Sequence, residues 1–173
     1  IKQVVERCFE IIEEFKLDVS FDIILTIAIY HDLGYKIDPD NKHHLIIDEE
    51  TAPVVKLIFN MYADGEGYRK IVQKLNDDGI ASPTEYKKQT GSRYVNFNAQ
   101  ASNSKGLWTQ STIARMLANE MYTGTLVQGK SHHISYKNKK RKKVDKNDWI
   151  RIPDTHEAII NPDIWSRTQE RLN

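Results

Sequence analysis

Trp108-Thr109-Gln110-Ser111-Thr112-Ile113-Ala114-Arg115-Met116-Leu117-Ala118-Asn119 winds an apolar stripe around a polar one. Ile113, Met116 and Leu117 recur at the spacing of one helix face, while Gln110, Ser111 and Arg115 fall on the other. Thr109 offers the side-chain oxygen that an N-cap needs, so the pattern predicts a helix from Thr109 to about Ala118. Its inner face requires a packed body, and the flanking sequence supplies one.

Upstream, Ile71, Val72 and Leu75 point to a helix from about Tyr68 to Asn76, ending before Gly79 as a left-handed C-cap. Before it, Asp48, Glu49 and Glu50 favour a helix start, and Val54, Val55, Leu57, Ile58, Met61 and Tyr62 recur at helical spacing until Gly65. Pro53 leaves the exact start open. From Tyr35 to Ile47, Asp38, Pro39, Asp40 and Asn41 have the chemistry of a turn between extended pieces. Residues 84–107 lack periodicity and are rich in Ser, Asn, Gln, Gly and Lys, which predicts a long binding loop. Within it, Tyr94 and Phe97 beside Arg93 could wedge or stack against a ligand.

Downstream, Thr123 to Gln128 and Asp148 to Ile152 are β-compatible, with a lysine run between them as an exposed hairpin arm or loop. Asn161 and Pro162 open a last helix through Trp165 to Leu172. At the other end, one helix is expected from about Lys2 to Lys16. A second, capped by Ser20, is apolar almost all round from Ile23 to Ile29 and stops near Gly34. The expected class is α+β: a helical module with a small antiparallel sheet, preceded by a helical pair. Trp108, Tyr122, Trp149 and Trp165 stand beside apolar neighbours and are assigned to core or hinge packing.

At 173 residues the chain suffices for one domain or two small ones, and 39% hydrophobic with 28% charged residues is the composition of a soluble fold. No run approaches the roughly 18 apolar residues of a membrane span, so a cytoplasmic protein without a membrane partner is expected. The single cysteine, Cys8, excludes a disulfide scaffold or a thiolate zinc site within these residues. Charge is unevenly placed. Residues 1–33 hold three basic against seven acidic side chains, whereas residues 130–151 hold nine basic against two acidic ones. A polyanion is the partner that the second stretch suits.

No Gly-rich phosphate loop is present, and no serine has a recognisable neighbouring base. The pairs His43-His44 and His132-His133 are adjacent residues, which on a strand face opposite ways and cannot easily grip one ion. The doublet His31-Asp32 could share a divalent metal. The string Ile23-Ile24-Leu25-Thr26-Ile27-Ala28-Ile29-Tyr30-His31-Asp32-Leu33-Gly34 resembles the central helix of HD-domain metal-dependent phosphohydrolases. That resemblance implies an upstream histidine and a downstream aspartate as further ligands, and no histidine precedes His31. No metal or other cofactor is therefore expected; the alternative is a fragment of an HD-type metal-dependent phosphohydrolase with His31 and Asp32 as ligands.

From Gly34 onward the chain resembles the recombinase domain of large serine recombinases. The resemblance runs through Gly34-Tyr35-Lys36, Glu50-Thr51-Ala52-Pro53-Val54-Val55-Lys56-Leu57-Ile58-Phe59-Asn60-Met61-Tyr62 and Gly65-Glu66-Gly67-Tyr68. It continues through Ile71-Val72-Gln73-Lys74-Leu75-Asn76-Asp77-Asp78-Gly79-Ile80, Pro83, the quoted helix, Tyr122-Thr123-Gly124 and His156-Glu157-Ala158-Ile159-Ile160 to Trp165. Two segments follow from it: an acidic, HD-like helical segment over 1–33, either a fusion or a divergent leader whose pattern is coincidental, with fusion favoured, and a recombinase-type DNA-binding domain over 34–173.

The resemblance implies a module that grips attachment-site duplex DNA, with strand exchange performed by a serine catalytic domain outside these residues. A cysteine-rich zinc ribbon is a further expected partner domain, and oligomerisation is expected only of a full-length protein. The residues themselves suggest the contacts. Arg93 and Lys105 lie in the polar loop, Thr109, Gln110, Ser111 and Arg115 on the helix, and Lys130, Lys139, Lys140, Arg141, Lys142 and Lys143 on the arm. The arm would supply affinity through phosphates, and the helix would read base edges.

Overall fold

The computed structural model describes residues 33–41, 44–90, 106–133 and 140–172. The helices expected over Lys2–Lys16 and Ile23–Ile29 fall outside them. A hairpin comes first, in which β1 (Tyr35–Ile37) pairs antiparallel with β2 (Leu45–Ile47), Tyr35 opposite Ile47 and Ile37 opposite Leu45. Its turn is closed by the Asp40 N–H donating to Asp38 Oδ1 and the Asp38 N–H donating to the His44 carbonyl. This is the turn between extended pieces that the sequence predicts.

Gly34 sits at the root of that hairpin with φ +102°, and a Cβ there would stand 2.7 Å from Ile159 Cδ1 and 3.0 Å from Val55 Cγ2. Glycine is what lets the hairpin close on the helices. The Gly34 N–H donates to Thr51 Oγ1 at 2.9 Å, and the Thr51 hydroxyl donates to Asp48 Oδ2 at 2.8 Å. Asp48 is thereby engaged in joining hairpin to helix, and α1 spans Ala52–Ala63, starting after the acidic triplet that suggested its beginning. Pro53 fits this start, because the first helical turn has no intrahelical use for its missing N–H.

Val55, Ile58, Phe59 and Tyr62 turn inward from α1, and Ile71 and Leu75 from α2 (Tyr68–Asp77). Gly79 follows α2 with φ +68°, in the left-handed region expected of it. The loop expected over 84–107 does not hold at its start, where Pro83–Gln89 form α3. Ser82 caps it by accepting from the Glu85 N–H, and Pro83 occupies its first turn. With seven residues and the polar tail Lys87-Lys88-Gln89, this helix is too short to display an apolar stripe, so periodicity could not reveal it. Residues 91–105, with Tyr94 and Phe97, lie outside the described residues.

Helix α4 is Gln110–Leu117, capped by Thr109, whose Oγ1 accepts from the Thr112 N–H. Ile113, Met116 and Leu117 are at most 1% exposed, as the spacing predicts. Trp108 locks the entry to this helix onto the end of α2. Its backbone N–H donates to Asn76 Oδ1 at 2.9 Å and its indole N–H to the Ile80 carbonyl at 2.8 Å. A 3-10 turn at Glu120–Thr123 leads out of α4.

The last helix, α5 (Pro162–Leu172), packs against α1, and its arginines close the end of that helix. Arg171 donates to the carbonyls of Tyr62, Gly65 and Glu66, while Arg167 donates to the Ala63 carbonyl and Asp64 Oδ1. Guanidinium donors at a helix C-terminus satisfy orphan carbonyls and oppose the negative end of the helix dipole. One core joins all these pieces, from Leu33, Tyr35 and Leu45 of the hairpin segment through the helices to Ile159 and Ile160. The hairpin thus shares the helices' core. Among the described residues, no helix is long and apolar enough to cross a membrane.

Thr168 on α5 is fully buried, and its hydroxyl has no hydrogen-bond partner among the described residues. A buried hydroxyl without a partner carries a desolvation cost. Thr168→Val is therefore expected to raise the unfolding free energy by about 1 kcal/mol, measured by urea denaturation. A loss of similar size would show that the hydroxyl is paired.

Between Gly124 and Thr155 the chain runs out and back as an antiparallel arm. Near the body, β3 (Leu126–Gln128) pairs with β6 (Ile150–Ile152). Farther out, β4 (Ser131–His133) pairs with β5 (Arg141–Lys143). A hydrogen bond from the Val144 N–H to the Lys130 carbonyl links the two ladders, and a 3-10 turn at Lys146–Asp148 separates β5 from β6. Leu126 and Ile152 are buried with Ile150 in a small cluster of their own, apart from the main core. The class is α+β, and the single small sheet expected from sequence is three separate two-stranded ladders among the described residues.

Candidate nucleic-acid interface

On β5, Arg141, Lys142 and Lys143 are all exposed, and Lys140 immediately before them is exposed as well. Successive strand residues point to opposite faces, so Arg141 and Lys143 charge one face of the ribbon and Lys142 the other. The partner strand sets Lys142 opposite His132 and Lys143 opposite Ser131. Both faces of the arm are therefore cationic.

At the arm's base, Trp149 lies half-buried between two cations, with Lys130 Nζ 5.2 Å and the Arg151 guanidinium carbon 5.5 Å from its ring centre. Its indole N–H donates to the Val144 carbonyl at 3.1 Å, which pins β5 to the 3-10 turn. Lys130, expected as a phosphate contact, is thus held over an aromatic face while remaining exposed. Arg151 grips Glu120 with two hydrogen bonds, Nε to Oε2 at 2.8 Å and Nη2 to Oε1 at 3.1 Å, and Glu120 raises its already high pKa further. Nothing local in the sequence marks this pair, whose members are separated by the whole arm.

Helix α4 presents Gln110, Ser111 and Arg115 as exposed side chains, on a rod held from behind by three core residues and by Trp108. Thr109 differs from its neighbours. Its hydroxyl accepts the Thr112 N–H and lies 3.0 Å from Thr112 Oγ1, so it serves the cap. Arg93, Lys105 and Lys139 lie outside the described residues, as do His31 and Asp32. Among the described residues no group of three His, Cys, Asp or Glu side chains could hold a metal.

Trp108 and Tyr122 are buried and Trp165 half-buried, the last with its ring centre 6.1 Å from that of Phe59. Sequence reasoning overlooked Tyr86, whose hydroxyl donates toward Asp48 Oδ2 (3.0 Å) and Glu50 Oε2 (3.1 Å). Burial first, and then these carboxylates, push its pKa up, so it stays a neutral donor.

His156 braces the root of the arm. With its proton on Nε2, the neutral ring donates to the Met121 carbonyl at 2.7 Å and meets the Thr155 hydroxyl at Nδ1, 2.8 Å away. The Tyr35 ring stands edge-on to it at 4.7 Å. Burial lowers its pKa from 6.5, the Met121 carbonyl opposes that shift, and the charge of His44 adds to it. The folded protein therefore binds fewer protons than the unfolded chain below pH 6.5, and stability falls as pH drops through that value toward the lowered pKa. Urea denaturation from pH 7.5 to 5 is expected to show this decline, by at most about 1.4 kcal/mol per pH unit from this residue. His156→Gln should make the decline shallower. An identical slope in the variant would assign it to other groups.

A family model described as Recombinase matches residues 49–173. The Bacillus subtilis (strain 168) protein YefB, itself uncharacterized, is 30% identical over 96 residues, 56% of this chain and 28% of that protein. The chain thus spans less than a third of that relative's length. Two solved structures are similar in part. One, concerned with the sequence requirements of the Listeria innocua prophage attP site, is 18% identical with a TM-score of 0.47, covering 81% of this chain and 41% of its own. The other, a crystal structure of an LSR–DNA complex, is 19% identical with a TM-score of 0.45, covering 82% of this chain and 31% of its own. The family match takes in every helix from α1 to α5 and the whole arm, well over half of the sequence, and on it the chain belongs to the Recombinase family.

Proposed function

We propose that residues 34–173 are the DNA-binding unit of a site-specific serine recombinase, recognising attachment-site duplex DNA for strand exchange by a catalytic domain outside these residues. The observation that carries this reading is the arm, a two-stranded ribbon with exposed cations on both faces. A ribbon of that width can enter the major groove of B-DNA, and its lysines and arginine can displace counterions condensed on the phosphates. This term supplies affinity without sequence preference. Preference is assigned to Gln110, Ser111 and Arg115 of α4, because base discrimination needs side chains on a support that does not yield.

Selection against random duplex is the test. The protein should enrich a defined sequence and bind it with salt-sensitive affinity. Gln110→Ala and Arg115→Ala should each relax preference at a few base pairs by about 1–3 kcal/mol while leaving binding to scrambled duplex largely intact. Equal losses on selected and scrambled duplex would make these residues phosphate contacts. Salt-insensitive binding, or none, would remove the function.

A further inference from the structure

The arm is attached to the helical body by its two connecting strands, together with the packing of β3 on the 3-10 turn. Its apolar cluster of Leu126, Ile150 and Ile152 is separate from the main core, so arm and body are not fused by common packing. Both connections contain a left-handed residue, Gly124 at φ +81° on the way out and Asp154 at φ +56° on the way back. At Gly124 a Cβ would approach the His156 carbonyl oxygen to 2.7 Å, so the connections are also close together. The Thr155 N–H donates to the Gly124 carbonyl, which ties the connections to each other. Such a root sets where the arm begins. It leaves open what sets the arm's angle to the body.

Among the described residues, Thr123 Oγ1 donates to Thr125 Oγ1 at the root, and a charged side-chain bridge spans arm and body beyond it. Glu120 stands in the 3-10 turn that leaves α4, and Arg151 is the middle residue of β6, so their bidentate pair joins the body to the arm beyond the root. A fork-to-fork guanidinium–carboxylate pair constrains orientation as well as distance, which a single contact cannot. Arg151 then extends the brace outward, donating through Nη1 to the Lys146 carbonyl at 2.9 Å, in the turn where β5 gives way to β6. The same guanidinium lies against Trp149, whose indole N–H holds Val144 next to the cationic strand. The chain of contacts runs from the end of α4 to the start of the lysine ladder without interruption.

We infer that Glu120 and Arg151 are positioning residues that fix the arm relative to α4, and so set the separation along a duplex at which the two surfaces can engage it together. The inference rests on the DNA-binding reading for its consequence and on the bridge geometry for its mechanism. One inserted base pair rotates one part of a duplex against the other by about 35° as well as displacing it, so a rigid arm must discriminate spacing where a swinging arm need not. Neither residue has to touch DNA for this.

The experiment reads mechanism and consequence separately. In a Cys8→Ser background, spin labels at Gln73→Cys on α2 and Lys142→Cys on the arm report the body-to-arm distance by pulsed electron resonance without DNA. A single narrow distribution is expected, broadened about twofold or more by Glu120→Gln or by Arg151→Lys, which keeps charge but loses the fork. Circular dichroism checks that each variant is folded. Without the labelling substitutions, the same variants are then titrated with the selected duplex and with duplexes lengthened or shortened by one base pair between the two contact regions. The parent should lose on the order of tenfold affinity for a one-pair change, and the variants only a few-fold. An unchanged distance distribution in both variants overturns the inference. Broadening with the spacing preference intact overturns the consequence drawn from it. A parent that binds no duplex defeats the DNA-binding reading, while the label distances still judge the brace.

Discussion

Trp108→Ala is expected to lower the unfolding free energy by about 3–5 kcal/mol, out of the 5–15 kcal/mol that hold a typical domain. Trp108 is 3% exposed and belongs to the main core, so truncation leaves a cavity between α2 and α4. It also strands the Ile80 carbonyl that the indole N–H satisfies. The consequence for the interface follows from position. Trp108 directly precedes the cap of α4, and the Asn76 side chain grips its backbone, so loosening this point frees the N-terminal turn carrying Gln110 and Ser111. Trp108→Phe separates the contributions, since it keeps most of the buried ring and loses the hydrogen bond; a loss of about 1–2 kcal/mol is expected. Urea denaturation checks both. A loss below 1 kcal/mol for the alanine variant would mean that the clamp is not structural.

The helices were legible because each carries a stripe long enough to show its period and a recognisable end. Thr109 and Gly79 occupy the capping positions that their chemistry suggested, and Ile113, Met116 and Leu117 face inward as their spacing requires. Helix α3 was not legible, because seven residues give too few turns for periodicity and its order comes from Ser82, Pro83 and the contact of Tyr86 with Asp48. The start of α1, which Pro53 left open, falls after the acidic residues. The acidic residues that signal a first turn are here a tether, with Asp48 bound by Thr51 and Tyr86.

For the interface, the cationic run and the polar face of α4 were readable as composition and spacing. The contacts that orient them were not, because they join distant residues. Glu120 with Arg151, and Arg171 with the end of α1, exist only once the chain has folded back on itself. A charge on a sequence does not say whether it faces solvent or a partner. Arg151 was counted with the cations of the arm, and the fold pairs it with Glu120 although it too is exposed, as Arg141, Lys142 and Lys143 are.

Replacing Lys139, Lys140, Arg141, Lys142 and Lys143 together by glutamine should produce the largest effect on binding. Each phosphate contact releases condensed counterions and contributes about 0.9 to the slope of log affinity against log salt, so five contacts would remove a slope of about four to five. Affinity at low salt should then fall by on the order of 10²–10³-fold, with the difference shrinking as salt rises. Folding should be little affected. The described members of the run are exposed, and the described packing at the arm's base comes from Leu126, Ile150, Ile152 and Trp149, which the substitutions leave in place. The ratio of selected to scrambled binding should largely survive, because phosphates carry no sequence information and α4 is untouched. Titrations at several salt concentrations on both duplexes check all three statements. Unchanged slope and affinity would make the arm a bystander, and loss of the selected-to-scrambled ratio with the slope intact would make it the base reader in place of α4.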